Sequence, residues 1–258
     1  VTPVPEQTPA TATAPVAEVV AAHEVRAWLF DLDGVLTDSA VAHATAWASM
    51  FDEYLATLDP PQPPFDVHDD YLRYVDGRPR DDGIRTFLAS RGLSLPEHGP
   101  PDDPLAPSVE RLGDAKTERF RAAVAAGAVS VYPDALALLT TLAERGARCA
   151  VVSSSANASM VLERTGLDGY VEWCLDGSIA AARGLRGKPA PDTYLAAAQH
   201  LDCPPAHAAV LEDALVGVRA GHDGGFGVVV GVDRTGSAAA LRDAGATVVV
   251  DDLREVLA

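Results

Sequence analysis

Val25-Arg26-Ala27-Trp28-Leu29-Phe30-Asp31-Leu32-Asp33-Gly34-Val35-Leu36-Thr37-Asp38 is the stretch on which the reading of this chain turns. Residues 25–31 form a short apolar run that predicts a buried strand. Two carboxylates, Asp31 and Asp33, then stand two residues apart at its C-terminal end. Side chains alternate along a strand, so extended geometry carried to Asp33 aims both at one site. Gly34 lets the chain turn away. A carboxylate can attack phosphorus as a covalent nucleophile, and a second carboxyl beside it can take up or return a proton. The spacing suits phosphoryl transfer through an aspartyl phosphate, although Asp-x-Asp by itself is equally a strand end followed by a turn.

Composition narrows the partners. The chain has 258 residues and a formal net charge of −17. That balance argues against general nucleic-acid binding, which needs a basic surface. It also repels anionic substrates at long range, so any phosphate site must be built locally from a few cations. No apolar run is long enough to span a bilayer, which predicts a soluble protein with no membrane partner. Residues 1–22 lack a basic start followed by an apolar block, so no secretory signal is read there. The three cysteines, Cys149, Cys174 and Cys203, are odd in number and show no metal-site spacing, which fits a reduced, cytoplasmic setting. Arginine supplies nearly all the positive charge. Only two lysines occur, Lys116 and Lys188. In such a chain a retained lysine marks a position suited to a compact ammonium rather than a planar fork.

Along the chain, residues 1–22, rich in Pro, Ala, Thr and Val, read as a flexible tail. Apolar residues at helical spacing from Ala42 to Leu58 predict a helix over 40–58, stopped by Pro60 to Pro64. Residues 65–125 show helices and loops but no strand, with helices at Arg85–Arg91 and Lys116–Ala126 and a proline-rich loop at Pro96–Pro107. From Tyr132 onward strands alternate with helices. Strands are expected at 148–153, 170–174, 208–211, 226–232 and 247–250, with helices at 133–145, 158–165, 192–200 and 215–221. This predicts an α/β fold: a Rossmann-like, doubly wound parallel sheet with a helical domain inserted after the first strand. The expected division is a core of residues 23–39 and 128–258 and an inserted domain of residues 40–127.

In such a sheet ligands bind beyond the carboxyl ends of the strands, and three of those ends carry polar chemistry. One has Asp31 and Asp33. A second has Ser153-Ser154-Ser155-Ala156-Asn157, where hydroxyls and a helix N-terminus can hold phosphate oxygens or merely cap the helix. The third has Glu212-Asp213, adjacent carboxylates that with Asp31 can hold Mg²⁺. Lys188, in Gly187-Lys188-Pro189-Ala190-Pro191, is fixed by a proline turn and can neutralise a nucleophilic carboxylate and a phosphoryl oxygen together.

Taken in order, Asp31–Asp38, Ser153, Lys188 and Glu212-Asp213 resemble the haloacid dehalogenase superfamily of phosphotransferases over essentially residues 25–250. The insert resembles the helical cap of its β-phosphoglucomutase family, through His43 and Trp47 one helical turn apart, Arg80 after Gly77, Lys116, and Ser155 with Asn157. The resemblance implies Asp31 as nucleophile and Asp33 as general acid/base. It implies Ser153 and Lys188 on the transferring phosphoryl group, and Mg²⁺ among Asp31, the Asp33 carbonyl, Glu212 and Asp213. It also implies Arg80 on the non-transferring phosphate, with Gly77, Trp47, Ser155 and Asn157 around the substrate. His43 and Lys116 would couple cap closure to acid/base chemistry. The expected activity is interconversion of β-glucose 1-phosphate and glucose 6-phosphate by a monomer, with a sugar-phosphate phosphatase as the alternative. Two departures stand out. Gly83 and Ala156 occupy positions where some family members have a polar or basic side chain, and the 96–107 loop is long.

Overall fold

A computed structural model describes residues 15–103 and 105–257. Its centre is a parallel sheet built from β1 (Ala27–Phe30), β4 (Arg148–Val152), β5 (Trp173–Leu175), β6 (Ala208–Glu212), β7 (Val228–Val232) and β8 (Val248–Val250), in the order β5-β4-β1-β6-β7-β8. The apolar runs become strands because both faces of the sheet are covered. Trp28 and Phe30 point into one apolar cluster with Leu138, Leu142 and Val230. Ala27 and Leu29 point into the other with Tyr194, Val210 and Val218. β1 lies between β4 and β6, and the Asp31 N–H donates to the Leu211 carbonyl at 3.0 Å. Asp31 is therefore held by sheet pairing at the crevice where strand order reverses.

A two-stranded antiparallel ladder, β2 (Thr37–Asp38) with β3 (Ser130–Val131), pins together the two ends of the insert. Between them run α2 (Ala40–Ala56), a π-helical turn at Tyr71–Val75, α3 (Arg80–Ser90) and α4 (Val109–Ala125). This helical domain has its own apolar cluster of Trp47, Phe51, Phe65, Phe87 and Leu112. The ends of α2 and α4 nearest the sheet contribute Ala42, Ala46, Phe120 and Val124 to the cluster beneath it. Packing between insert and core is thus continuous along these two helices.

The remaining helices are α1 (Val16–Ala22), α5 (Pro133–Glu144), α6 (Ala158–Thr165), α7 (Gly177–Ala182), α8 (Asp192–His200), α9 (Leu215–Asp223) and α10 (Ala238–Asp243). The expectation of a tail through residue 22 needs correction. Residues 16–22 are helical, and Val20 is buried in the core cluster, so apolar burial orders a segment that lacks a periodic pattern. Residues 1–14 lie outside the described residues. α3 and α4 begin earlier than the periodicity indicates. Ser108 caps α4 by accepting from the Arg111 N–H at 3.1 Å, a start signal that follows Pro107 directly. The strand expected at 170–174 begins at Trp173, because Asp168–Tyr170 form a 3₁₀ turn.

Candidate active site

The carboxyl ends of β1, β4 and β6 meet beneath the helical insert in a cleft of about 470 Å³, lined by Asp31, Asp33, Ser153, Glu212 and Asp213 from below and His43, Arg80 and Lys116 from above. Lys188 sits at the base, almost fully buried. Its ammonium donates to Asp31 Oδ1 at 2.5 Å, Glu212 Oε1 at 2.6 Å and the Val152 carbonyl at 3.2 Å. Burial works against that charge. The carboxylates of Asp31 and Glu212 outweigh it and hold Lys188 well above the ordinary lysine range.

Glu212 serves chiefly as the counter-anchor of this lysine. Besides Lys188, its Oε1 accepts from the Tyr194 hydroxyl at 3.3 Å, and its Oε2 accepts from the Ala214 N–H at 2.8 Å. Gly217 is required beside it, because a Cβ there would run into the Glu212 carboxylate. Asp213 lies against the Asp31 turn. Gly34 has φ +90° and leaves its Cβ position to the Asp213 carboxylate. Oxygens of Asp31, Glu212 and Asp213 lie within 4.8 Å of one another. Burial, then the neighbouring carboxylates, pushes Asp213 well above the usual range. Burial also raises Asp31 strongly, with Lys188 opposing. Asp76, on the cap side, is raised to about 7 by burial and by Glu212. An all-oxygen set this short of positive charge has the chemistry of a hard divalent cation site.

Asp33 turns away from Asp31's partners. Its Oδ1 accepts from the Ser39 hydroxyl at 2.5 Å and lies 3.3 Å from His43 Nε2. That second approach is an ion-pair distance outside hydrogen-bond direction. Burial opposes the charge of Asp33, but His43, Ser39 and Lys116 outweigh it and hold the carboxyl at about 2. On the far side of the ring, Lys116 Nζ lies 2.7 Å from His43 Nδ1. The His43 ring stacks on Phe120 at 3.8 Å, and the Lys116 ammonium lies 5.1 Å from the Trp47 ring centre and 4.9 Å from that of Phe120. Burial among aromatics drives Lys116 down to about 7, with Asp33 pulling the other way. Burial, then Lys116, also lowers His43. Trp47 meets the cleft mainly as a wall beneath this lysine.

The loop after β4 has donors to spare. Ser153 Oγ accepts from the Ser155 N–H at 3.0 Å, and Ser155 Oγ accepts from the Asn157 N–H at 3.2 Å. Among the described residues neither hydroxyl donates to protein, so both protons can serve a ligand. Asn157 precedes α6 without a side-chain capping bond; its Oδ1 accepts from Arg121 Nε at 2.7 Å. The Ser154 hydroxyl donates to the Gly77 carbonyl at 2.9 Å, which ties the cap loop to the core. Arg80 is less available than its motif implies. It donates to Asp81 (2.7 Å), Asp114 (3.2 Å) and Thr117 (3.0 Å), lying across α4 where a Cβ on Gly113 would strike it.

Sequence reasoning brought together Asp31, Asp33, Ser153, Lys188, Glu212 and Asp213; for His43 and Lys116 the resemblance implied a shared role, and their direct contact is a finding of the structure. Sequence reasoning missed Ser39, Tyr71, Asp76, Arg78, Arg121 and Tyr194. For Asp76 and Arg78 the signal was present, since both flank Gly77, a turn glycine with φ +66°. Tyr194 and Arg121 look like ordinary helix residues in sequence.

A parallel α/β sheet with a buried aspartate-lysine pair at its switch point, roofed by a helical insert, defines a class of phosphate-handling enzymes. Residues 25–225 match the family of haloacid dehalogenase-like hydrolases, and the chain belongs to that family. It is 48% identical over 242 residues to the β-phosphoglucomutase of Mycobacterium tuberculosis (strain CDC 1551 / Oshkosh), covering 91% of this chain and 92% of that one. It is 30% identical over 204 residues to hexitol phosphatase A of Escherichia coli (strain K12), covering 79% and 82%. The crystal structure of CbbY from Rhodobacter sphaeroides in complex with phosphate superposes with TM-score 0.70 at 26% identity, covering 90% of this chain and 96% of that one. Among the described residues no helix is long and apolar enough to cross a membrane.

Proposed function

We propose that the chain is a Mg²⁺-dependent β-phosphoglucomutase, interconverting β-glucose 1-phosphate and glucose 6-phosphate through phospho-Asp31 and a glucose 1,6-bisphosphate intermediate. The observation that carries this reading is the cap-borne pair Lys116–His43 reaching Asp33 beside the Asp31–Lys188 pair. A device that connects the cap to the proton-transfer carboxylate suits an enzyme that must exclude water from an aspartyl phosphate. The 48% identical mycobacterial relative bears the same activity in its name.

In the mechanism, phospho-Asp31 passes its phosphoryl group to the 6-hydroxyl of β-glucose 1-phosphate. The P–O bond to Asp31 breaks, the bond to O6 forms, and Asp33 takes the hydroxyl proton. Held at about 2, Asp33 is deprotonated at neutral pH, the state this step needs. The bisphosphate then reorients. Asp31 attacks the C1 phosphate, the bond between phosphorus and O1 breaks, and Asp33 returns the proton to O1. Glucose 6-phosphate leaves. Lys188 and the Ser153 hydroxyl stabilise charge on the transferring group. Asp31, Asp213 and Glu212, with the Asp33 carbonyl, would hold Mg²⁺, which neutralises phosphoryl charge when bound.

The test supplies β-glucose 1-phosphate, Mg²⁺ and a trace of glucose 1,6-bisphosphate, and follows glucose 6-phosphate and inorganic phosphate in one tube. Glucose 6-phosphate without matching phosphate release is expected, with loss of turnover on chelation and recovery on adding Mg²⁺ back. Phosphate release alone would replace this reading with a sugar-phosphate phosphatase, the second reading, favoured by the 30% identity to a hexitol phosphatase.

A further inference from the structure

We infer that Arg78 supplies the cation for the non-transferring phosphate of a sugar bisphosphate, an inference that rests on the proposed mutase reading. Among the described residues four cationic side chains line the cleft, Arg78, Arg80, Arg85 and Lys116, and a fifth, Lys188, lies buried against Asp31 at its base. Four are already engaged. Lys188 holds Asp31 and Glu212, and Lys116 holds His43. Arg85 is paired with Asp82 and Glu97. Arg80 carries two carboxylates, Asp81 and Asp114, for its single positive charge. A phosphate approaching Arg80 must displace or oppose those two anions. Among the described residues Arg78 makes no side-chain hydrogen bond or ion pair, and it is partly exposed to the cleft.

Its backbone is anchored on both sides to the core. The Gly77 carbonyl accepts from the Ser154 hydroxyl. Pro79 occupies the space where Gly187 would carry a Cβ, next to Lys188. Arg78 is therefore positioned at the seam between cap and core, opposite the Ser153–Asn157 loop. Ala156 of that loop lines the same cleft and brings no charge of its own. In a chain of net charge −17, a guanidinium without a side-chain partner among the described residues, lining the same cleft as the Ser153 and Ser155 hydroxyls, is suited to bidentate capture of a phosphate dianion.

Binding can be read without turnover in the Asp31→Asn protein, by calorimetry with glucose 1,6-bisphosphate and with glucose 6-phosphate in the presence of Mg²⁺. The Asp31→Asn protein is expected to prefer the bisphosphate. Adding Arg78→Ala should reduce that preference by about tenfold to a hundredfold, the worth of a charge-assisted hydrogen bond. Arg78→Lys, which keeps a cation on the loop, should recover part of it and so separate loss of charge from a disturbed loop. An unchanged preference in Arg78→Ala overturns the assignment, and so does equal affinity for the two ligands before Arg78 is changed. A loss confined to Arg80→Ala returns the role to Arg80. Because the readout is binding, a chain that hydrolyses rather than isomerises would remove the mutase reading and leave the Arg78 result standing on its own.

Discussion

The two lysines of this chain are nearly equally buried, Lys188 at 3% exposure and Lys116 at 5%, yet their surroundings drive them in opposite directions. Lys188 contacts two carboxylates and a carbonyl, and is held protonated. Lys116 contacts an imidazole nitrogen and two aromatic faces, and falls to about 7. Burial is the same cost for both ammonium groups. What differs is whether an anion is within direct reach. The core thereby gains a permanent cation beside Asp31, and the cap gains a group that exchanges its proton near neutrality close to Asp33.

The largest expected effect comes from breaking the core half of that contrast. Lys188→Met leaves Asp31 and Glu212 facing each other without a counter-charge. Unfolding by denaturant should show a loss of about 3–5 kcal/mol, and phosphoryl transfer should fall to background. Near-parental stability would mean that the carboxylates do not depend on this lysine.

Breaking the cap half should act in the other direction on stability. The folded pKa of Lys116 lies below its unfolded value, so its burial penalty is complete below about 7 and fades as pH rises toward about 10.4. Lys116→Met keeps the contacts with Trp47 and Phe120 and removes the charge. It should stabilise the fold by a few kcal/mol at pH 6, on the order implied by that shift, with the gain shrinking steadily toward pH 10. Isomerisation should drop about a hundredfold, the typical weight of a proton-transfer partner. A stability difference that does not vary with pH would show that Lys116 is not the titrating group.

A smaller effect sharpens the same comparison on the substrate side. Gly113→Ala pushes a Cβ into Arg80 and should lift its guanidinium from Asp114 and Thr117. The cost to stability is about 1 kcal/mol. With the distal phosphate assigned to Arg78, KM for the sugar phosphate and kcat should each change by less than about threefold; a tenfold shift in KM would return that role to Arg80.

Much of this site was legible in the residues themselves. Strand β1 could be read from its apolar run, and Asp31 and Asp33 follow it directly. The order of helices and strands after Tyr132 is carried by local periodicity, which is why it matches the sheet. Segments whose order depends on distant contacts were harder. α1 has little pattern of its own and is ordered by packing Val20 into the core. Arg80 illustrates a different limit: its motif marked it as a phosphate ligand, while the anions that occupy it come partly from α4, 34 residues away. Glu212 stood out as a metal carboxylate, yet each of its oxygens is engaged by protein donors.

The sequence by itself determined which groups are available: a strand-end pair of aspartates, donor hydroxyls before a helix, two lysines in an arginine-rich chain. Each is a local property, written in neighbouring residues. Tertiary structure alone decided which cation meets which anion. Asp31 and Lys188 are 157 residues apart, and His43 and Lys116 are 73 apart. The charge of a buried lysine is set by what lies within a few ångströms of it, and in this protein the sheet and the inserted helices supply those neighbours.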